Sequence, residues 1–121
     1  MNSDSVNNII KLAALASVVD GHASDEEKNL IVEMGSNLLN TPQEEIREIL
    51  DRCINTFQNQ EFAKNSEAVL NSGLDALRSL DPSQKHLAFY ICEKVIYQDG
   101  IQSGEIEFIH QLDQLDQTTF S

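Results

Sequence analysis

The chain carries one short acidic pattern twice. Asp20-Gly21-His22-Ala23-Ser24-Asp25-Glu26 aligns without gaps on Asp99-Gly100-Ile101-Gln102-Ser103-Gly104-Glu105. Four of the seven positions agree, and they are Asp, Gly, Ser and Glu. The chemistry on offer is oxygen ligation. Asp20, Glu26, Asp99 and Glu105 would form an oxygen-only donor set, which favours a hard cation such as Ca²⁺ or Mg²⁺. If the two copies converge, their carboxylates repel strongly unless a cation lies between them. His22 would add a nitrogen and turn the preference towards Zn²⁺ or Mn²⁺, although an exposed loop histidine is the plainer reading. The pattern is not an EF-hand. Counted from Asp99, Gly104 falls at position six, but Ile101 takes position three and His110 position twelve, where oxygen ligands are required. Counted from Asp20, Asp25 replaces the glycine and Ile31 the last glutamate.

Most of the pattern also has a purely structural explanation. Gly21 and Gly100 let the chain leave a helix through a left-handed conformation without steric cost. Ser24 and Ser103 accept from the free N–H groups that open the next helix. Glu26 and Glu105 suit that helix's positive end. Asp20 and Asp99 differ, because each sits at or near the C-terminal end of a helix. The macrodipole disfavours an anion there by about 0.3–1 kcal/mol. Either each Asp folds over to accept loop or helix N–H bonds, or each is a metal ligand.

The elements that must position these turns are helices. Apolar residues repeat with a helical period almost throughout. Ile9, Leu12, Ala13, Ala16 and Val19, flanked by Ile10, predict a helix over 5–19. Ser24 starts a second, with Glu27 completing a capping box. Leu30, Ile31, Met34 and Leu38 form its stripe, and Asn40-Thr41-Pro42 ends it. Thr41-Pro42-Gln43-Glu44 predicts a third start, with Thr41 as N-cap and Pro42 at the first helical position. Ile46, Ile49, Leu50, Cys53, Ile54 and Phe57 make its face. A fourth helix over 66–79 carries Val69, Leu70, Leu74 and Leu77, with Gly73 marking a weakness or a close helix contact. Asp81 caps a fifth, which presents Leu87, Ala88, Ile91, Val95 and Ile96. Ser103 caps a sixth, with Ile106, Ile109, Leu112 and Leu115 inward and a patternless tail from Asp116 to Ser121. The expected fold is all-α: one domain over 1–121, a single compact bundle of about six helices with a duplicated helix-turn-helix hairpin.

Bulk properties narrow the function classes. A chain of 121 residues, 40% hydrophobic, can bury a core without staples. Twenty acidic residues face eight basic ones, a formal net charge of −12. That opposes nucleic acid, which needs a basic face to release counterions, and anionic membrane surfaces. No apolar stretch is long enough to span a membrane and no leader pattern is visible, so the expected location is cytoplasmic. Cys53 and Cys92 sit on apolar helix faces without a CxxC pair, which predicts two buried thiols in a reducing compartment. His86 and His110 lie in helices with no evident partner.

The two turns are where the chain resembles a known family, the tellurite-resistance TerB family. Its signature is an Ala/Val-Asp-Gly turn followed by an acidic capped helix, near both ends of an all-helical domain. Val19-Asp20-Gly21 with Ser24-Asp25-Glu26-Glu27 is similar to it. Gln98-Asp99-Gly100 with Ser103-Gly104-Glu105 departs where Gln98 replaces the small residue. The resemblance spans residues 6–115, with only the turns specific. It implies a module linked to tellurite resistance and stress responses, with relatives in DnaJ-like co-chaperones. It also implies divalent-metal binding by the acidic residues, which map here to Asp20 and Asp99, then Glu26, Glu27 and Glu105.

Three functions compete. The first is a non-enzymatic cation-binding stress module. The second is an acidic protein-interaction or co-chaperone-type module that docks a partner with a basic surface and holds no metal, its aspartates acting only as caps. No His-Pro-Asp motif is present, so a co-chaperone role would depend on another chain. The third is an enzyme, which the residues oppose: a catalytic Cys needs a base and an electropositive pocket, and neither thiol has an evident one.

Overall fold

A computed structural model describes residues 3–18, 25–57 and 66–98, together with 110 and 114. Five helices occupy the continuous segments: α1 (Ser3–Val18), α2 (Asp25–Leu39), α3 (Gln43–Phe57), α4 (Ser66–Arg78) and α5 (Pro82–Gln98). No strand occurs among the described residues, so the all-α class holds. Of the expected sixth helix only His110 and Gln114 are described, both helical. The rest of it, and the tail, lie outside the described residues.

α1 is the centre of the assembly and packs against all four other described helices. The periodicity predicts one inward face for α1, but it is enclosed on every side over Leu12 to Ser17. The reason is residue size. Ala13, Ala14 and Ala16 allow neighbouring helices to approach closely, while Ile9, Ile10, Leu12 and Leu15 fill the space between them. Ser17, also fully buried, donates its hydroxyl to the Ala14 carbonyl at 2.9 Å, which removes the cost of enclosing a polar group.

α2 turns a different stripe inward from the expected one. Its buried row is Glu27, Ile31, Gly35 and Leu39, spaced by four, with Val32 beside it. Leu30 and Met34 are half-buried and Leu38 is exposed. Gly35 is what allows the close approach. A β-carbon at Gly35 would lie 3.0 Å from Ile10 Cδ1 and 3.1 Å from Ile46 Cγ2.

α2 ends in a Schellman motif. Asn40 adopts φ 50°, and the Thr41 N–H returns to the Ser36 carbonyl at 3.3 Å. The Thr41 hydroxyl donates to the Leu39 carbonyl at 3.0 Å. Thr41 therefore closes α2, a correction to its expected role as N-cap of α3. The Pro42 carbonyl instead accepts the first turn of α3, from Glu45 at 3.1 Å and Ile46 at 3.2 Å. α3 buries Ile46, Ile49, Leu50, Ile54 and Phe57 as expected, while Cys53 is only half-buried.

The start of α5 follows the sequence closely. Asp81 Oδ1 accepts from the Gln84 N–H at 2.8 Å, and Gln84 Oε1 accepts from the Asp81 N–H at 3.0 Å. This is a capping box with Pro82 at the first helical position. Ala88, Ile91, Cys92 and Val95 then face the core. No described helix is long and apolar enough to cross a membrane.

Candidate functional site

The two copies of the pattern flank described helices in sequence. The first occupies the interval between α1 and α2, and the second follows α5. α1 is described to Val18 and α5 to Gln98, so each Asp lies within two residues of a described helical end. α1 and α5 pack against each other, and α2 packs against both. Asp20, Gly21, His22, Ser24, Asp99, Gly100, Ser103 and Glu105 lie outside the described residues. The proposed pairing of Ser24 with Glu27 therefore falls partly outside them too.

Three acidic residues of the first copy are described, and the fold treats them differently. Asp25 and Glu26 are exposed in the first turn of α2. Glu27 is buried, at 6% relative exposure. The helical period explains the split. Glu27 begins the inward row that continues through Ile31, Gly35 and Leu39, whereas the two preceding residues point to solvent. The positive end of α2 favours a carboxylate at this position. The sequence assigns Glu27 only a capping partnership and a place in the implied ligand set; its burial is new information. The signal for it was the i, i+4 spacing to Ile31.

No family model, curated protein or solved structure matches the chain. The TerB resemblance therefore rests on the residues of the two turns. Among the described residues, no group of three or more His, Cys, Asp or Glu side chains is arranged to hold a metal ion.

The cysteines and histidines complete the inventory. Cys92 is 1% exposed in α5. Burial pushes its thiol up to about 12, with the Glu93 charge adding to the effect. Cys53 corrects the expectation of two buried thiols: it is half-buried at a cleft between α1, α3 and α4. Burial raises its pKa, while Lys11 and Arg52 pull it down. Both thiols stay protonated at neutral pH and are free of a disulfide. A nucleophilic or metal-binding cysteine would need the thiolate. His86 and His110 are exposed.

Proposed function

We propose that the chain is a non-enzymatic, TerB-like stress-response module that binds a divalent cation, Ca²⁺ or Mg²⁺, through the acidic residues of its two Asp-Gly turns. The observation that carries this reading is the burial of Glu27. Glu27 already has an interaction partner; what its burial adds is an acidic side chain held in a fixed place at the positive end of α2. Glu27 directly follows the Asp20 copy of the pattern in sequence. The repeated Asp supports the reading, because each copy follows a helix whose dipole opposes it, a choice that a cation would compensate. The packing of α1, α2 and α5 against one another supports a shared site. Isothermal titration of metal-free protein tests it. Saturable heat with Ca²⁺ or Mg²⁺ that disappears in Asp20→Asn and Asp99→Asn is the expected result. No heat at millimolar Ca²⁺, Mg²⁺, Mn²⁺ or Zn²⁺ rejects it.

A second reading, an acidic protein-docking module, is favoured by the surface of α2 and α3. Asp25, Glu26, Glu33, Glu44, Glu45, Glu48 and Asp51 are all exposed there. Such a field attracts a partner with a basic surface and weakens with salt. A partner recovered at low ionic strength and released at high salt, with no metal requirement, would select this reading over the first.

A further inference from the structure

The described surface holds one feature that neither turn accounts for. A cleft of about 440 Å³ opens between α1, α3 and α4, within the range of small-molecule sites. α1 contributes Asn7, Asn8 and Lys11, which share a face at helical spacing. α3 contributes Arg52 between the apolar Ile49 and Phe57. Cys53 and Ser72 complete the wall. Thr56 is already committed, its hydroxyl donating to the Arg52 carbonyl at 3.0 Å.

The charge of this cleft runs against the rest of the protein. The chain has eight basic residues against twenty acidic ones, yet two of the eight line this cleft and no described Asp or Glu does. Neither Lys11 nor Arg52 is in an ion pair among the described residues. Lys11 is half-buried on a helix whose next six residues are all buried. Without a carboxylate partner among the described residues, this lysine offers its three donors to the cleft. Asp4 lines an adjoining recess that shares Asn7 and Asn8. Along α1 the charged residue changes from Asp4 in the recess to Lys11 in the cleft.

We propose that this cleft binds a small organic anion, with its charged head between Lys11 and Arg52, its polar edge on Asn7 and Asn8, and its apolar body against Ile49 and Phe57. The Arg52 fork and the Lys11 point charge suit a phosphate or carboxylate head. The two side-chain amides supply donors that fix its orientation. The site is independent of the Asp-Gly turns and uses none of their residues.

Phenyl phosphate is the probe, titrated into the ¹⁵N-labelled full chain, with benzoate and uncharged phenol in parallel. The expected result is saturable shifts of the Asn7 and Asn8 side-chain amides with phenyl phosphate and no saturation with phenol. Lys11→Gln and Arg52→Gln should each weaken binding by about tenfold, the usual loss for one charge-assisted contact. The same probe should slow alkylation of Cys53 in the unmodified chain, a readout that needs no variant. Binding of phenyl phosphate alone assigns a phosphate head, and binding of benzoate as well assigns a carboxylate-compatible one; both support the site. Absence of saturation at roughly 20 mM, a concentration that detects even millimolar affinity, overturns it. So does binding that both variants and phenol leave unchanged.

Discussion

Asp81 and Gln84 hold each other at the start of α5: the Gln84 N–H reaches Asp81 Oδ1 at 2.8 Å, and the Asp81 N–H reaches Gln84 Oε1 at 3.0 Å. The pair satisfies two backbone donors with two side chains, and α5 carries one of the main faces packed on α1. Asp81→Ala should therefore cost about 1 kcal/mol, a typical loss for an N-cap. Gln84→Ala should cost less, because the Asp81 bond to the Gln84 backbone survives it. Urea denaturation of the two single variants and the double variant checks this. A non-additive double variant is expected, since the two bonds form one box.

Gly35 sets the distance between α1, α2 and α3. A methyl group placed there meets Ile10 Cδ1 at 3.0 Å and Ile46 Cγ2 at 3.1 Å, and both isoleucines are fully buried. Replacing a helical glycine by alanine ordinarily gains about 1 kcal/mol. Overpacking a filled core costs about 1–3 kcal/mol. Gly35→Ala should thus be neutral to destabilising, by up to about 2 kcal/mol. Ile10→Val removes the closest obstructing atom. In an Ile10→Val background, Gly35→Ala should be less damaging, and thermal unfolding of the four proteins measures the difference.

The buried thiol gives the stability a definite pH dependence. Burial holds Cys92 near 12 in the folded chain against an ordinary 9.0. A raised pKa means that the folded state keeps a proton which the unfolded state has released. Its contribution is complete below pH 9.0 and is lost as pH rises towards 12. Stability should fall above pH 9.0, by up to about 1.4 kcal/mol per pH unit from this group. Cys53 shifts in the same direction. Denaturation midpoints of the unmodified chain and Cys92→Ala between pH 8 and 10.5 check it, the variant showing the shallower decline.

Helix identity was legible because capping chemistry is local. Asp81-Pro82-Ser83-Gln84 announces a helix start whatever surrounds it, and the observed bonds follow the pattern. Burial was legible where one face is apolar, as along Ile46, Ile49, Leu50, Ile54 and Phe57. It was less so where small residues hide a second and third face. The enclosure of α1 depends on which helices surround Ala13, Ala14 and Ala16, a tertiary fact with no local trace. The same holds for the inward Val32 and outward Leu38 in α2. Thr41 was misread because a hydroxyl between two helices can serve either one, and here the left-handed Asn40 turns it back to Leu39. The cleft between α1, α3 and α4 could not be read at all, since Lys11 and Arg52 meet only through packing. At the candidate cation site, the repeated turns are visible in the sequence and Glu27's burial follows from its spacing to Ile31.

If the two Asp-Gly turns hold one cation between them, that ion lies close to both glycines. Titration of the ¹⁵N-labelled chain with substoichiometric Mn²⁺ tests this most directly, because a paramagnetic ion broadens amides near its own position. The amides of Gly21 and Gly100 should broaden together, at the same Mn²⁺ concentration, and recover when Ca²⁺ or Mg²⁺ displaces the ion. Broadening of one glycine without the other, or of neither, would contradict it.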